Sequence, residues 1–475
     1  MTGIELELIS DPNMYLFIES GLRGGLSVIT RRKGMANNKF MKSYDENSKS
    51  KYIAYFDANN LYGWAMSQYM PYGGFKWINP EEFDLDSVRK KSKKGHILEV
   101  DLEYPKELHD LHNDYPYCPE QMVIKDEMLS EYCKTIANQH GMKSSKYTKL
   151  VATLGNKEKY VIHERNLKQA IDAGLILKKI HRVLEFDQKP WMKKYIDFNT
   201  EKRKMAKNDF EKDFFKLMNN SVFGKTMENV RKRQNFKLIC DKAKFQKYVS
   251  KPNFINGVIF NENLVGVHYI KEKILLNKPI YVGFSILDIS KTLMYDFHYG
   301  HIKPKYGNKA KLLFTDTDSL CYEIQTKNVY QDMNNDKDLF DLSEINDPRF
   351  DKYKDYTNKK ALGKMKLENP NNIIKEFIGL KSKMYSILFE NGSEEKKAKG
   401  IVKSVIKKDL KHKNYNDILE SGKKMYSKMK VIRSQKHRVF TMEMNKVSLS
   451  AYDDKRFIKK NGIGSYAYRH YKTQE

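Results

Sequence analysis

Asp316 and Asp318 stand one residue apart in the stretch Leu312-Leu313-Phe314-Thr315-Asp316-Thr317-Asp318-Ser319-Leu320-Cys321-Tyr322. Two like charges this close repel each other, and a cation between them relieves the repulsion. Carboxylates offer only oxygen, which suits a hard ion such as Mg²⁺. A calcium loop does not fit, because it needs a Gly at its sixth place and a Glu at its twelfth, and neither follows Asp316. A solvated Asp-Thr-Asp turn has the same composition, so the pair gains meaning from its company.

That company is spread along the chain. Asp57 closes an apolar run in Tyr52-Ile53-Ala54-Tyr55-Phe56-Asp57-Ala58-Asn59-Asn60-Leu61-Tyr62-Gly63. A buried strand that ends on a carboxylate is a firm way to place a metal ligand; an Asp that caps the following turn reads the same way. Lys204, Asn208, Lys212, Lys216 and Asn220 recur at intervals of four, which on one helix makes a single polar stripe. Lysines at that spacing repel unless an anion lies among them, and a triphosphate would serve. The alternative is a solvated lysine face. Phe223 and Gly224 sit oddly on such a face, since Gly is a poor helix residue unless something must come close. Near the start, Arg23-Gly24-Gly25 pairs glycines with a cation, as a loop touching a phosphate would, or as an ordinary Gly turn would.

The elements that must position these residues follow from the apolar pattern. Apolar runs on both sides of Asp316-Thr317-Asp318 predict strand, turn, strand, with the carboxylates at the tip. Ile97 to Tyr104 alternates as a half-buried strand, with Glu99, Asp101 and Glu103 on its polar side. Residues 157–189 read as strand, helix, strand. Lys90-Lys91-Ser92-Lys93-Lys94 reads as a solvated basic loop. Residues 280–297 predict a buried amphipathic helix leading into the central hairpin. Gly379 to Leu388 predicts one basic-aromatic strand, and the remainder a basic, mostly helical lobe carrying 22 Lys or Arg against 10 Asp or Glu over 386–475.

The chain has 475 residues, enough for several domains' worth of core, and a net charge of +27. An excess that large points to a polyanionic partner, and 31 Tyr with 24 Phe supply stacking surfaces. No apolar run is long enough to span a bilayer, and the N-terminus lacks a signal pattern, so no membrane partner is expected. Cys118, Cys133, Cys240 and Cys321 form no CxxC pair and read as reduced thiols of a cytosolic or nuclear protein.

Taken in order, Asp57-Ala58-Asn59-Asn60-Leu61-Tyr62-Gly63, Lys216-x-x-x-Asn220-Ser221-Val222-Phe223-Gly224, Asp316-Thr317-Asp318-Ser319 and Lys383-Met384-Tyr385 resemble the motifs of family B DNA polymerases. The likeness is greatest to the protein-primed branch of phages, adenoviruses, linear plasmids and Polinton-type elements. The family usually has Ser and Pro where Asn60 and Gly63 stand, Tyr at the place of Phe223, and an aromatic at that of Leu22. The carboxylates are all kept.

The resemblance implies an α+β right-hand polymerase core. It implies a palm part over 1–195 with an insertion, fingers helices over 196–235, a second palm part over 236–385 and a basic thumb over 386–475. It implies that Asp57 and Asp318 hold two Mg²⁺ ions, with Asp316 beside them as a third catalytic carboxylate. Tyr62 would lie under the incoming sugar and exclude a 2′-hydroxyl. Lys216, with Lys212 or Lys204, would hold the triphosphate, and Asn220 and Phe223 would line the nascent base pair. Lys383 and Tyr385 would hold the primer end, and Arg23, Gly24 and Gly25 the template. The partners implied are a DNA primer-template, dNTPs and a terminal priming protein. Only 56 residues precede Asp57, too few for the usual proofreading exonuclease, so that domain is expected outside this chain. A reverse transcriptase typically carries adjacent Asp-Asp, unlike Asp316-Thr317-Asp318. A decayed nucleic-acid-binding relic would not be expected to keep all three carboxylates.

Overall fold

The computed structural model describes residues 2–473 except 144 and 436. The carboxylates lie on a six-stranded sheet whose order is Ser27–Ile29, Ala310–Asp316, Ser319–Gln325, Lys51–Ala58, Met365–Leu367 and Phe340–Asp341. Neighbours are antiparallel except the last pair, which is parallel. The period of two along Lys51–Ala58 explains why this strand is central. Tyr52, Ala54, Phe56 and Ala58 enter one core with Leu312, Leu320 and Tyr322. Ile53 and Tyr55 face another, with Phe314, Cys321 and Phe377. Burying a side chain such as Phe56 contributes roughly 1.5–3 kcal/mol.

The second face is covered by a four-stranded sheet ordered Glu394–Ala398, Met384–Phe389, Ile374–Lys381 and Lys33–Met35. The single strand expected over Gly379–Leu388 is in fact two strands. They turn between Lys381 and Met384, where Lys383 takes φ +58°. That turn brings Lys383 to the tip of a hairpin beside the first sheet.

Strand, helix, strand over 157–189 is present as Lys157–His163, Glu164–Asp172 and Ile176–Lys189. These strands join Met70–Ile78 and Lys94–Glu103 in a separate antiparallel sheet. The acidic side of Lys94–Glu103 is structural: Arg182 grips Glu99 with two hydrogen bonds, and His181 lies 2.8 Å from Asp101. Helix Ile280–Tyr295 is buried almost all round rather than on one stripe, because it runs between the two sheets' cores.

Helices Lys193–Lys204 and Asp209–Thr226 pack side by side, joined by Asn199 donating to Asn219 at 2.9 Å and Tyr195 to the Met218 carbonyl at 2.9 Å. The five-membered stripe is therefore broken. Lys204 ends the first helix and Asn208 caps the second, so only Lys212, Lys216 and Asn220 share a helix.

The C-terminal lobe is not mostly helical. Its main element is a long two-stranded ribbon, Lys424–Gln435 with Arg438–Ser450, beside helices Lys403–Asp409 and His412–Ser421. The strand Met384–Phe389 also runs through residue 386, so the lobe starts after it. At the ribbon's tip the His437 ring stacks on Phe236 at 4.1 Å, in the small sheet formed by Asn235–Ile239, Phe254–Asn261 and Leu264–Tyr269. Among the described residues no helix is long and apolar enough to cross a membrane.

Candidate active site

The hairpin between Ala310–Asp316 and Ser319–Gln325 turns in two residues. The N–H of Asp318 donates to the Asp316 carbonyl at 2.8 Å, and Thr317 sits at φ +65°. A β-branched residue is strained there, so the turn needs outside support. The N–H of Thr317 supplies it by donating to the Leu26 carbonyl at 2.8 Å, and the Thr317 side chain rests on Gly25, where a Cβ would lie 2.3 Å from Thr317 Cγ2. The paired glycines are thus explained differently from the sequence reading. Gly25 admits Thr317, and Gly24 is exposed with open space about it. Arg23 turns inward: its guanidinium lies 3.7 Å from the centre of the Tyr160 ring and donates to the Val161 carbonyl at 2.8 Å. A free template-gripping arginine is not what the structure shows at this position.

Asp57 and Asp318 meet because their strands are neighbours. Ser319 is opposite Asp57 in the register, and the N–H of Ala58 donates to the Asp318 carbonyl at 2.8 Å. Burial pushes the Asp57 carboxyl up to about 7, the Asp318 charge adds to this, and Lys366 opposes it. Asp318 is raised as well, first by burial, and Asp316 adds to it. The two groups favour a shared cation, as expected for a divalent ion bound between them. Among the described residues no three His, Cys, Asp or Glu converge into a closed cage. An open pair suits Mg²⁺, which commonly takes one or two carboxylates and completes its shell with phosphate and water. Asp316 points elsewhere: both its oxygens meet the Lys383 ammonium, Oδ2 at 2.7 Å.

The turn after Asp57 is cut from the same sequence run. Asn60 adopts a left-handed conformation at φ +44° and caps helix Leu61–Met66, accepting the Gly63 N–H at 3.2 Å. A Cβ on Gly63 would collide with that cap at 2.2 Å. The cap sets Tyr62 in the first helical turn, where its ring lies 4.4 Å from that of Phe223. Burial and then the Asp318 charge push the Tyr62 phenol up to about 12. Phe223 thus meets Tyr62 from helix Asp209–Thr226, Asn220 and Lys216 lie about one and two turns back on the same helix, and Lys216 is near enough to lower the Asp318 carboxyl. Lys216 makes no ion pair among the described residues. Lys212 is held by Asp209 at 3.0 Å and Lys204 by Glu201 at 2.9 Å. Gly224 is exposed, and a built Cβ there would meet nothing within 4 Å beyond its chain neighbours and its own helix backbone.

A cleft of about 920 Å³ opens over Asp57, Asp316 and Asp318 and is walled by Lys383, Lys396, Lys397, Lys399, Lys403 and Lys407. Tyr385 reaches it from below and is only 3% exposed, its ring stacked on Phe314 at 4.6 Å and its hydroxyl 3.4 Å from that of Tyr55. It props the hairpin more than it presents a surface.

Three residues of the site are not marked by the sequence. Lys366 Nζ lies 3.4 Å from Asp57 and 2.6 Å from Glu368. Asp341 accepts from Asn59 Nδ2 and from the Lys360 N–H, each at 2.7 Å, and so ties the turn after Asp57 to the 360–364 segment. Lys360 is thereby held near Arg203 and Lys212; its ammonium is lowered by burial and then by those cations. In a chain with 87 Lys and Arg, no local pattern singles out Lys360 or Lys366.

An α+β fold with carboxylates on adjacent central strands, a helix pair facing them and a basic cleft is a right-hand polymerase architecture. Residues 8–300 match the family described as DNA polymerase type B, organellar and viral, and the chain belongs to that family. Among solved structures it is similar to phi29 DNA polymerase complexed with primer-template DNA and incoming nucleotide substrates, at 16% identity and a TM-score of 0.54. The post-translocation binary complex of the same polymerase gives 16% and 0.52, and its complex with single-stranded DNA 15% and 0.51. Each match covers 94% of this chain, which spans 64% of the length of the phi29 chain. No curated protein sequence matches.

Proposed function

We propose that this chain extends a primer on a DNA template by adding dNTPs, with Asp57 and Asp318 as ligands of two divalent ions. The observation that carries the reading is the meeting of Asp57 and Asp318 on adjacent strands at the floor of a lysine-walled cleft, opposite Lys216. When bound, the ions supply Lewis-acid stabilisation to the attacking and leaving oxygens of an in-line displacement.

The chain's own residues do the rest. Lys216 and Lys212, with Lys360 from the opposite side, bind the triphosphate. Asn220 and Phe223 border the nascent pair, and Tyr62, fixed by Phe223, closes the space a ribose 2′-hydroxyl would need. Lys383 holds the hairpin through Asp316 and leaves its remaining donor capacity for the primer end. Lys204 and Arg23 have weaker claims, since Lys204 ends the other helix, outside the Lys212 and Lys216 stretch, and Arg23 is turned inward. We assign the palm to 1–195 and to 236 through the Glu394–Ala398 strand, the fingers to 196–235 and the thumb to the lobe that follows, and place no exonuclease within these residues. Family membership and the motif likeness to the protein-primed branch support priming by a terminal protein's hydroxyl.

The test is extension of a primed template by wild type and by Tyr62→Ala. Wild type should extend on DNA, and the variant should admit ribonucleotides. Extension on RNA only would make the chain a reverse transcriptase; binding without extension on either template would make it a relic.

A further inference from the structure

Outside the cleft, helix Glu164–Asp172 borders a second hollow of about 370 Å³, lined by Arg89, Lys90, Arg165, Lys168, Gln169 and Asp296 among others. Arg165 is 8% exposed, and its guanidinium has no hydrogen-bond or ion-pair partner among the described residues; Nη1 is fully buried and unpaired. A buried guanidinium left with its donors empty costs several kcal/mol or draws in a partner. None of the nearby acids bonds the guanidinium, although Glu164 and Asp296 lie close enough to favour its charge. Glu164 is bound to His96 through Oε2 at 2.6 Å, and its Oε1 is buried without a hydrogen-bond partner among the described residues. Asp296 accepts from Gln169 at 2.6 Å, and Asp172 lies 3.6 Å from Lys168, which also reaches Asp86 at 3.8 Å. From the rim of the hollow runs the basic loop Arg89-Lys90-Lys91-Ser92-Lys93, in which Lys90, Lys91 and Lys93 are exposed and make no ion pair among the described residues.

We propose that Arg165 and Lys168 form an anion site that takes a phosphodiester of a DNA strand running along this loop, away from the polymerisation cleft. Arginine's fork suits two phosphate oxygens. A file of unpaired lysines leading from the site favours a polymer of repeated negative charge over a lone anion. This goes beyond the active-site reading and does not depend on it.

The test is fluorescence anisotropy of the full chain with a labelled single strand of about 40 nucleotides, titrated with salt, for wild type, Arg165→Gln and the double variant Lys90→Gln/Lys168→Gln, at an exposed and a half-buried lysine. Each variant should bind about 5–10-fold more weakly at low salt, and its salt slope should drop by about 0.7 per lost phosphate contact. The double variant decides the matter if Arg165→Gln misfolds. Unchanged affinity and slope overturn the proposal and leave a hydrated arginine. Inorganic phosphate that raises the melting temperature of wild type but not of Arg165→Gln, with DNA binding unaltered, also overturns it, in favour of a free-anion site. Extension of a primed template, run in parallel, reports on the active site alone. Loss of extension with the slope change intact would sink the polymerase reading and spare this one.

Discussion

At Gly25 the distance from a built Cβ to Thr317 Cγ2 is 2.3 Å, and Thr317 sits between the two hairpin carboxylates in a left-handed conformation. A methyl group there must push Thr317, and with it Asp316 and Asp318. A displacement of about 1 Å at a reacting centre can cost about 100-fold in rate. Gly25→Ala should therefore lose about that much extension while melting near wild type, and a variant with unaltered rate would show that the turn is not held by this contact. The carboxylates themselves were legible, since Asp57, Asp316 and Asp318 each close or interrupt an apolar run. Lys366 was not, although it touches Asp57. Its role comes from register, with Lys366 opposite Asp57 across the sheet, and no single strand's sequence encodes its neighbour.

Elements are joined at Asp341, which collects Asn59 Nδ2, the Lys360 N–H, and the N–H and hydroxyl of Ser343. Removing the acceptor leaves buried donors unpaired, at about 1–3 kcal/mol. Asp341→Ala should lower the unfolding free energy by that amount, read from its denaturant midpoint. It should also raise the KM for dNTP by freeing Lys360; an unchanged KM would detach Lys360 from the nucleotide. The helix pair shows how a sequence signal can be misread. Lysines at intervals of four suggested one helix, yet Asn208 and Glu211 form a capping pattern: Asn208 Oδ1 accepts the Glu211 N–H at 2.9 Å, and Glu211 accepts the Lys207 N–H at 2.9 Å. That start signal outweighs the stripe. In the C-terminal lobe, lysine-rich composition hid the strand alternation of Met425 to Val431 and its partner, because lysines occur on both kinds of element.

Across the whole molecule, buried neutral histidines couple stability to pH. His112, whose Nδ1 lies 2.9 Å from the Tyr104 hydroxyl, is pushed down to about 4 by burial, and His163 to about 3. Their folded values lie below the usual 6.5, so protons bind the unfolded chain first. The stability they permit is full above pH 6.5 and falls as pH drops from 6.5 toward 4 and 3. At pH 5 each should subtract roughly 2 kcal/mol. His163→Asn, which can still cap helix Glu164–Asp172 in place of the ring that accepts the Arg165 N–H, should flatten the decline between pH 7 and 5. An equal decline in the variant would remove His163 from the account. At this scale charge was readable from the sequence, but its distribution was not: the lysine wall draws on the Met384–Ala398 strands and helix Lys403–Asp409 together.

The central claim is that Asp57 and Asp318 form one site. Single-nucleotide extension of a primed DNA template with Mg²⁺, run for wild type, Asp57→Ala and Asp318→Ala beside a measurement of DNA affinity, tests it most directly. Extension by wild type alone, with DNA bound by all three proteins, is the result predicted. Extension by either variant at the wild-type rate would contradict it.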